Sequence, residues 1–179
     1  MSTQQTIDPR TQADDTSQYL TFRLGDEIFA LGIFEVREVL EYRPVTRVPR
    51  TPPFMEGVIN LRGAVVPVVD LHMKFGTGRT EKTVDTCIVI TELEFDGETM
   101  HLGALADSVE EVFAMSDADV EPAPRMGTHL DVDFIKGMGK KGDDFVIILD
   151  VNRVFSPEEM QAVIASDSVA DEDASTASA

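Results

Sequence analysis

The chain has 179 residues, 42% of them hydrophobic, and its 33 acidic against 15 basic side chains give a formal net charge of −18. That length suits one compact domain or two small barrels sharing a core. Such a polyanion repels phosphate backbones and anionic lipid, which disfavours nucleic-acid and membrane-surface roles, and apolar runs such as Ala64 to Val69 fall well short of the roughly 18 residues a membrane helix needs.

Residues 1–18 carry −2 and residues 158–179 carry −6, which leaves −10 on the body. Acidity on that scale, with five lysines to ten arginines, fits a salty cytoplasm in which counter-ions screen self-repulsion; an ordinary acidic surface is the alternative. Met1 to Arg10 has no basic-then-apolar leader pattern, so a cytoplasmic location is expected. Cys87, the single cysteine, lies in the apolar run Cys87-Ile88-Val89-Ile90 and is expected as a small core residue; it excludes an intrachain disulfide.

Residues 1–17 are mostly polar and are expected to be a disordered lead. Tyr19 to Leu24 alternates loosely as a strand, Gly25-Asp26 turns it, and Glu27 to Leu31 is its hairpin partner. Ile33, Val36, Val39 and Leu40 fall at helical spacing and predict one or two turns of helix, although their β-branched character suits a strand as well. Pro44, Pro49, Pro52 and Pro53 make 43–53 an extended connection with at most a short edge strand.

Next come two short apolar runs, Val58 to Leu61 and Ala64 to Val69, flanking Arg62-Gly63. That pattern is a hairpin with a cation at its tight turn. Pro67 in the second arm implies an edge position or a bulge. Asp70 precedes Leu71-His72-Met73-Lys74-Phe75 and predicts an N-cap on a short helix. Gly76 to Thr83 is expected as a mobile loop dividing two halves.

In the second half, Val84 to Glu92 is a strand, Asp96-Gly97 is a hairpin turn, and Leu105 to Phe113 is a strand or a short amphipathic turn. Pro122-Ala123-Pro124 breaks the chain. Phe134 to Gly139 and Phe145 to Leu149 are strands joined through Lys140 to Asp143. Ser156-Pro157-Glu158-Glu159 is a capping box with proline at the first helical position, opening a helix to about Ala165; an Ala/Ser/Asp tail follows. Nine or ten short strands with little helix argue an all-β sandwich or pair of barrels, and no fixed-period repeat is legible.

The chemical inventory is sparse. His72, His101 and His129 lack any two-ligand spacing, so no metal site and no cofactor is expected. The Gly137-Met138-Gly139-Lys140-Lys141-Gly142 run opens no helix and is a turn, not a phosphate cradle. Paired acids such as Glu110-Glu111 and Asp143-Asp144 are expected on solvated faces. An enzyme is disfavoured, and a β-rich module that presents surfaces remains.

The run Gly57-Val58-Ile59-Asn60-Leu61-Arg62-Gly63, followed by Pro67-Val68-Val69-Asp70-Leu71, resembles the signature of the CheW family of chemotaxis coupling proteins. The likeness extends through Phe22 to Glu27, Val36-x-Glu38-Val39, Val45 to Pro49, Asp107-Ser108-Val109 and Gly137-Met138-Gly139, and covers roughly residues 18–160. It implies two interlocked SH3-like β-barrels around a shared core, with short helices and a C-terminal helix. It implies a non-catalytic adaptor joining chemoreceptor signalling tips to the regulatory domain of a CheA-type histidine kinase, or a CheW-like scaffold for another receptor and kinase system. The positions matching the family's receptor-binding face are Val36, Glu38, Gly57, Val58, Asn60, Arg62 and Val109. The kinase contact is implied only for the region after Arg43. Beside this, Arg62 has a purely structural reading as the ion-pair partner of Glu38, Gly57 and Gly63 as backbone requirements, and Asn60 as a turn residue bonding its own backbone.

Overall fold

The computed structural model describes residues 16–122 and 134–165. Ten strands run through them: β1 (Thr16–Leu24), β2 (Glu27–Gly32), β3 (Val36–Glu41), β4 (Met55–Leu61), β5 (Ala64–Asp70), β6 (Cys87–Phe95), β7 (Glu98–Ala106), β8 (Ser108–Ser116), β9 (Ile135–Lys141) and β10 (Asp144–Leu149). Helix α1 (Leu71–Phe75) follows β5, and helix α2 occupies 157–165. The all-β expectation is borne out.

The locally signalled features form for the reasons read from the residues. Arg62-Gly63 and Asp96-Gly97 hold left-handed φ at both positions (54° and 86°; 55° and 79°), the geometry that matches strand twist in a two-residue hairpin. The Asp70 carboxylate accepts from the His72 and Met73 amides and caps α1. Ser156 and Glu159 exchange backbone and side-chain hydrogen bonds at the start of α2.

Five corrections follow. Residues 33–40 are not a helix: Ile33–Glu35 is one 3-10 turn, and Val36 onward is strand β3. A bulge between Val36 and Glu38 leaves Arg37 unpaired, which spoils the period-two alternation and mimics helical spacing. Thr16 and Ser17, expected in the lead, already belong to β1; residues 1–15 lie outside the described residues, as do Ala123, Pro124, His129 and the tail from 166. Pro67 is not on an edge strand, because β5 lies between β4 and β7; its pairing to β7 begins only at Val68, so the missing N–H breaks no bond there. Cys87 is half-buried, at the mouth of β6 rather than in the core.

The fifth concerns the loop 76–83, expected to be mobile. The chain forms one sheet of order β8-β1-β2-β10-β9 and another of order β3-β6-β7-β5-β4, so the strands after that loop join the strands before it. The loop itself is pinned. Thr80 is buried and donates its amide and hydroxyl to Asp70, and Lys82 pairs with the buried Glu56.

The two sheets share one plan. Each runs edge strand, two antiparallel neighbours, a parallel neighbour, then an antiparallel edge, with β2–β10 and β5–β7 as the parallel pairs. The hairpins β4–β5 and β9–β10 correspond at a constant offset of 80 residues. Met55↔Val69 and Gly57↔Val68 match Ile135↔Leu149 and Gly137↔Ile148, with the bulge at Glu56 matched by one at Lys136. Asp70 N–H bonds the Phe54 carbonyl as Asp150 N–H bonds that of Phe134, at 2.7 and 3.0 Å. The chain is thus two structural repeats, β1–β5 and β6–β10, in which each first hairpin pairs with the other repeat's strands.

Packing follows this plan. Val66 and Val68 face a small cluster with Ile59, Ile88, Ile90 and Leu105, while Val146 and Ile148 face another with Tyr19, Ile28, Ala30 and Met115. The alternate residues Val69, Ile147 and Leu149 enter a third, larger core drawn from both sheets. That is why β5 and β10 are apolar on both faces instead of alternating. A run of rings, Phe22–Phe29–Phe75–Phe134, with centroids 5.0–6.0 Å apart, threads the shared core.

Candidate functional site

Strands β3 and β4 are opposite edges of their sheet, yet an ion pair links β3 to the turn that follows β4. Arg62, at the β4–β5 turn, spans the gap: its two terminal nitrogens donate to the two Glu38 carboxylate oxygens at 2.7 and 2.9 Å. This fork-to-fork pair fixes the guanidinium in one plane. Arg43 makes a second bridge, donating to the Asn60 carbonyl at 2.9 Å. Hydrogen bonding from Arg62, with its charge, holds the Glu38 carboxyl below the usual range, and Glu38 raises the Arg62 guanidinium.

The hairpin that carries Arg62 is rigid. Asn60 Oδ1 accepts the Gly63 amide at 2.9 Å and closes the turn, as its own-backbone reading anticipates. Behind it, Thr46 and Val58 exchange both backbone hydrogen bonds, at 2.9 and 2.8 Å. Gly57 makes that approach possible, since a Cβ there would lie 2.3 Å from the Thr46 carbonyl oxygen. A cleft of about 420 Å³ opens along the seam, lined by Arg37, Glu38, Leu61, Arg62, Ile90 and His101. Arg62 keeps 73% of its side chain exposed, so the clamp leaves its outer edge open to a partner.

The seven expected residues are not equally placed. Glu38, Asn60 and Arg62 meet at the seam, and Gly57 supports it from behind. Val58 is only 6% exposed and belongs to the shared core. Val36 is half-buried against that core, opposite Thr91. Val109 sits on the other sheet, opposite Phe22 and just before a bulge at Glu110, as Val36 sits just before the bulge at Arg37. Val36 and Val109 therefore occupy corresponding places in the two repeats. The second seam is also bridged by charge: Lys141 on β9 pairs with Glu110 and Glu111 on β8.

Arg43, Thr46 and the weak Arg37–Glu92 pair carry no site role in the sequence reading, and His101, weighed there only as a metal ligand, instead contacts Glu92. The prolines flanking Val45 to Val48 were the available signal for Thr46, since they permit one bridge and no ladder. Among the described residues no three His, Cys, Asp or Glu side chains are grouped to hold a metal, and no helix is long and apolar enough to cross a membrane. Burial pushes the Cys87 thiol up, against a hydrogen bond from the Val109 backbone that lowers it.

The likeness to known proteins is extensive. A family model described as CheW-like domain matches residues 18–159. Chemotaxis protein CheW of Klebsiella aerogenes is 33% identical over 146 residues, covering 82% of this chain and 86% of that one. Chemotaxis protein CheW of Rhizobium meliloti is 32% identical over 145 residues, covering 81% and 91%. The crystal structure of the scaffolding protein TtCheW from Thermoanaerobacter tengcongensis aligns with a TM-score of 0.73 at 33% identity, over 88% of this chain and 96% of that one. With the fold, the hairpin and its spacing in agreement, the chain belongs to the CheW-like domain family.

Proposed function

We propose that this protein is a non-catalytic chemotaxis adaptor that couples the signalling tips of chemoreceptors to the regulatory domain of a CheA-type kinase, from the cytoplasmic side of receptor arrays. The Glu38–Arg62 clamp carries the reading: a family-matched arginine held planar at a seam, with most of its surface free. In this reading Arg62, Glu38 and Asn60 touch the receptor helix. Val36 and Val109 border the contact from the two sheets, and Gly57 and Val58 hold the hairpin in place.

The test is a pulldown with a receptor signalling tip and, separately, with the kinase regulatory domain, at the salt of the native cytoplasm. Arg62→Glu is expected to lose the receptor and keep the kinase. The charge-swapped pair Glu38→Arg with Arg62→Glu separates structure from contact, because it restores the clamp in reverse. Binding that stays lost in the swapped pair supports direct contact. Binding that returns makes the pair structural. Well-folded wild type that binds neither partner overturns the reading.

A further inference from the structure

Eight arginines lie among the described residues. Arg23, Arg37, Arg62 and Arg153 each face a carboxylate, and Arg43 holds the Asn60 carbonyl. Arg47, Arg50 and Arg79 are exposed and have no hydrogen bond or ion pair. In a chain with more than two acids per base, three unpaired guanidiniums in one region are contrary to expectation. The local balance is reversed too: residues 42–62 hold four arginines against the single acid Glu56, on a chain of −18.

These groups are displayed on anchored backbone. Arg47 and Arg79 line one cleft of about 190 Å³ with Thr51 and Met55. The only carboxylate in its lining, Glu56, is 5% exposed and already paired with Lys82. Buried Val48 and a Thr51 hydroxyl donated to the Val48 carbonyl at 3.0 Å set the turn that bears Arg47 and Arg50. Thr80, next to Arg79, is held by Asp70. Arg50 adopts φ 64°, a left-handed conformation that a bulky residue takes only against strain.

We propose that Arg47, Arg50 and Arg79 form a docking surface for a carboxylate-rich segment of a protein partner. Guanidinium groups pair with carboxylates through two parallel hydrogen bonds, and the paired Glu56 leaves no internal competitor in the cleft. Nucleic acid fits less well. A duplex presents a charge about every 1.7 Å along its axis, so it would run past three cations onto an acidic surface. The surface is separate from the Glu38–Arg62 seam and does not rest on the adaptor reading.

The test is fluorescence anisotropy with labelled decaglutamate at about 0.1 M and about 2 M KCl. Variants are Arg47→Glu/Arg50→Glu/Arg79→Glu, the milder triple to Gln, and Lys136→Glu/Lys140→Glu/Arg153→Glu as a matched change of net charge; circular dichroism checks that each is folded. Wild type is expected to bind at low salt and weaken at high salt, with about a tenfold or greater loss in both arginine triples and a smaller one in the control. No binding by wild type at low salt, or equal losses in control and arginine triples, overturns the proposal. Oligothymidylate of the same length bound as tightly as the peptide also overturns it, by making the surface a general polyanion site.

Discussion

Gly57→Ala is the sharpest probe of how the candidate site is held. The new Cβ would stand 2.3 Å from the Thr46 carbonyl oxygen and 2.9 Å from its carbon, both backbone atoms, at φ 153°. Relief requires the 43–48 segment to move off β4, which breaks the Thr46–Val58 pair of hydrogen bonds. Each is worth about 1 kcal/mol net, and forcing a side chain into this backbone region adds about 1 kcal/mol. The expected loss is therefore about 3 kcal/mol, or a fall in Tm of about 6–12 °C for a chain of this size. Gly63→Ala is the control. It too has positive φ, 86°, but its Cβ meets nothing within 4 Å, so only the strain of about 1 kcal/mol remains. Gly137→Ala, the corresponding position in the second repeat, should fall between them: Val120 Cγ1 at 2.6 Å must shift, but the nearest backbone atom, the Glu121 carbonyl oxygen, stands 3.0 Å away rather than 2.3 Å. Urea unfolding of the three variants at fixed salt gives the order directly. Gly57→Ala no less stable than Gly63→Ala would refute the close-approach argument and the rigidity ascribed to the hairpin.

Three further outcomes are expected. Asp70→Ala removes a 1% exposed carboxylate that accepts the amides of His72, Met73 and Thr80 and the Thr80 hydroxyl; orphaning these donors should cost about 3–5 kcal/mol in urea unfolding, and a loss under 1 kcal/mol would contradict the pinned loop. Hydrogen bonding from Arg23, with help from Lys141, holds the Glu110 carboxyl below its ordinary value, so its contribution to stability is present above that value and disappears as pH falls through the lowered one; Glu110→Gln should flatten the acid limb of a Tm-against-pH curve below about pH 4.3, and an unchanged limb would count against the second seam. Molar KCl should raise Tm above its value in dilute buffer, since screening relieves repulsion in a chain of −18; a melt no higher in salt would remove the argument for a salty setting.

Hairpins and caps were legible in the residues because they depend on near neighbours. Arg62-Gly63 and Asp96-Gly97 take left-handed φ wherever their strands go, and Asp70 and Ser156 cap the amides that follow them. The Glu38–Arg62 pair was foreseeable as one of two readings, and the structure makes it compatible with the other by leaving Arg62 exposed. The spacing over 33–40 mimics a helix because the bulge at Arg37 is set by the partner strand β6, which lies fifty residues further on.

Strand partnership, the seams and the repeat belonged to tertiary structure alone. Phe54, Gly57, Val66 and Asp70 are matched by Phe134, Gly137, Val146 and Asp150, but four identities in a stretch of seventeen are too few to show a repeat until identical registers and bulges reveal it. Nothing local tells β1 and β2 to pair with β8 and β10 rather than with β3, because any apolar strand edge offers the same backbone donors and acceptors. That choice is made by burial on both faces of β5 and β10, which is met only when each hairpin crosses to the other repeat's sheet and a common core forms between them.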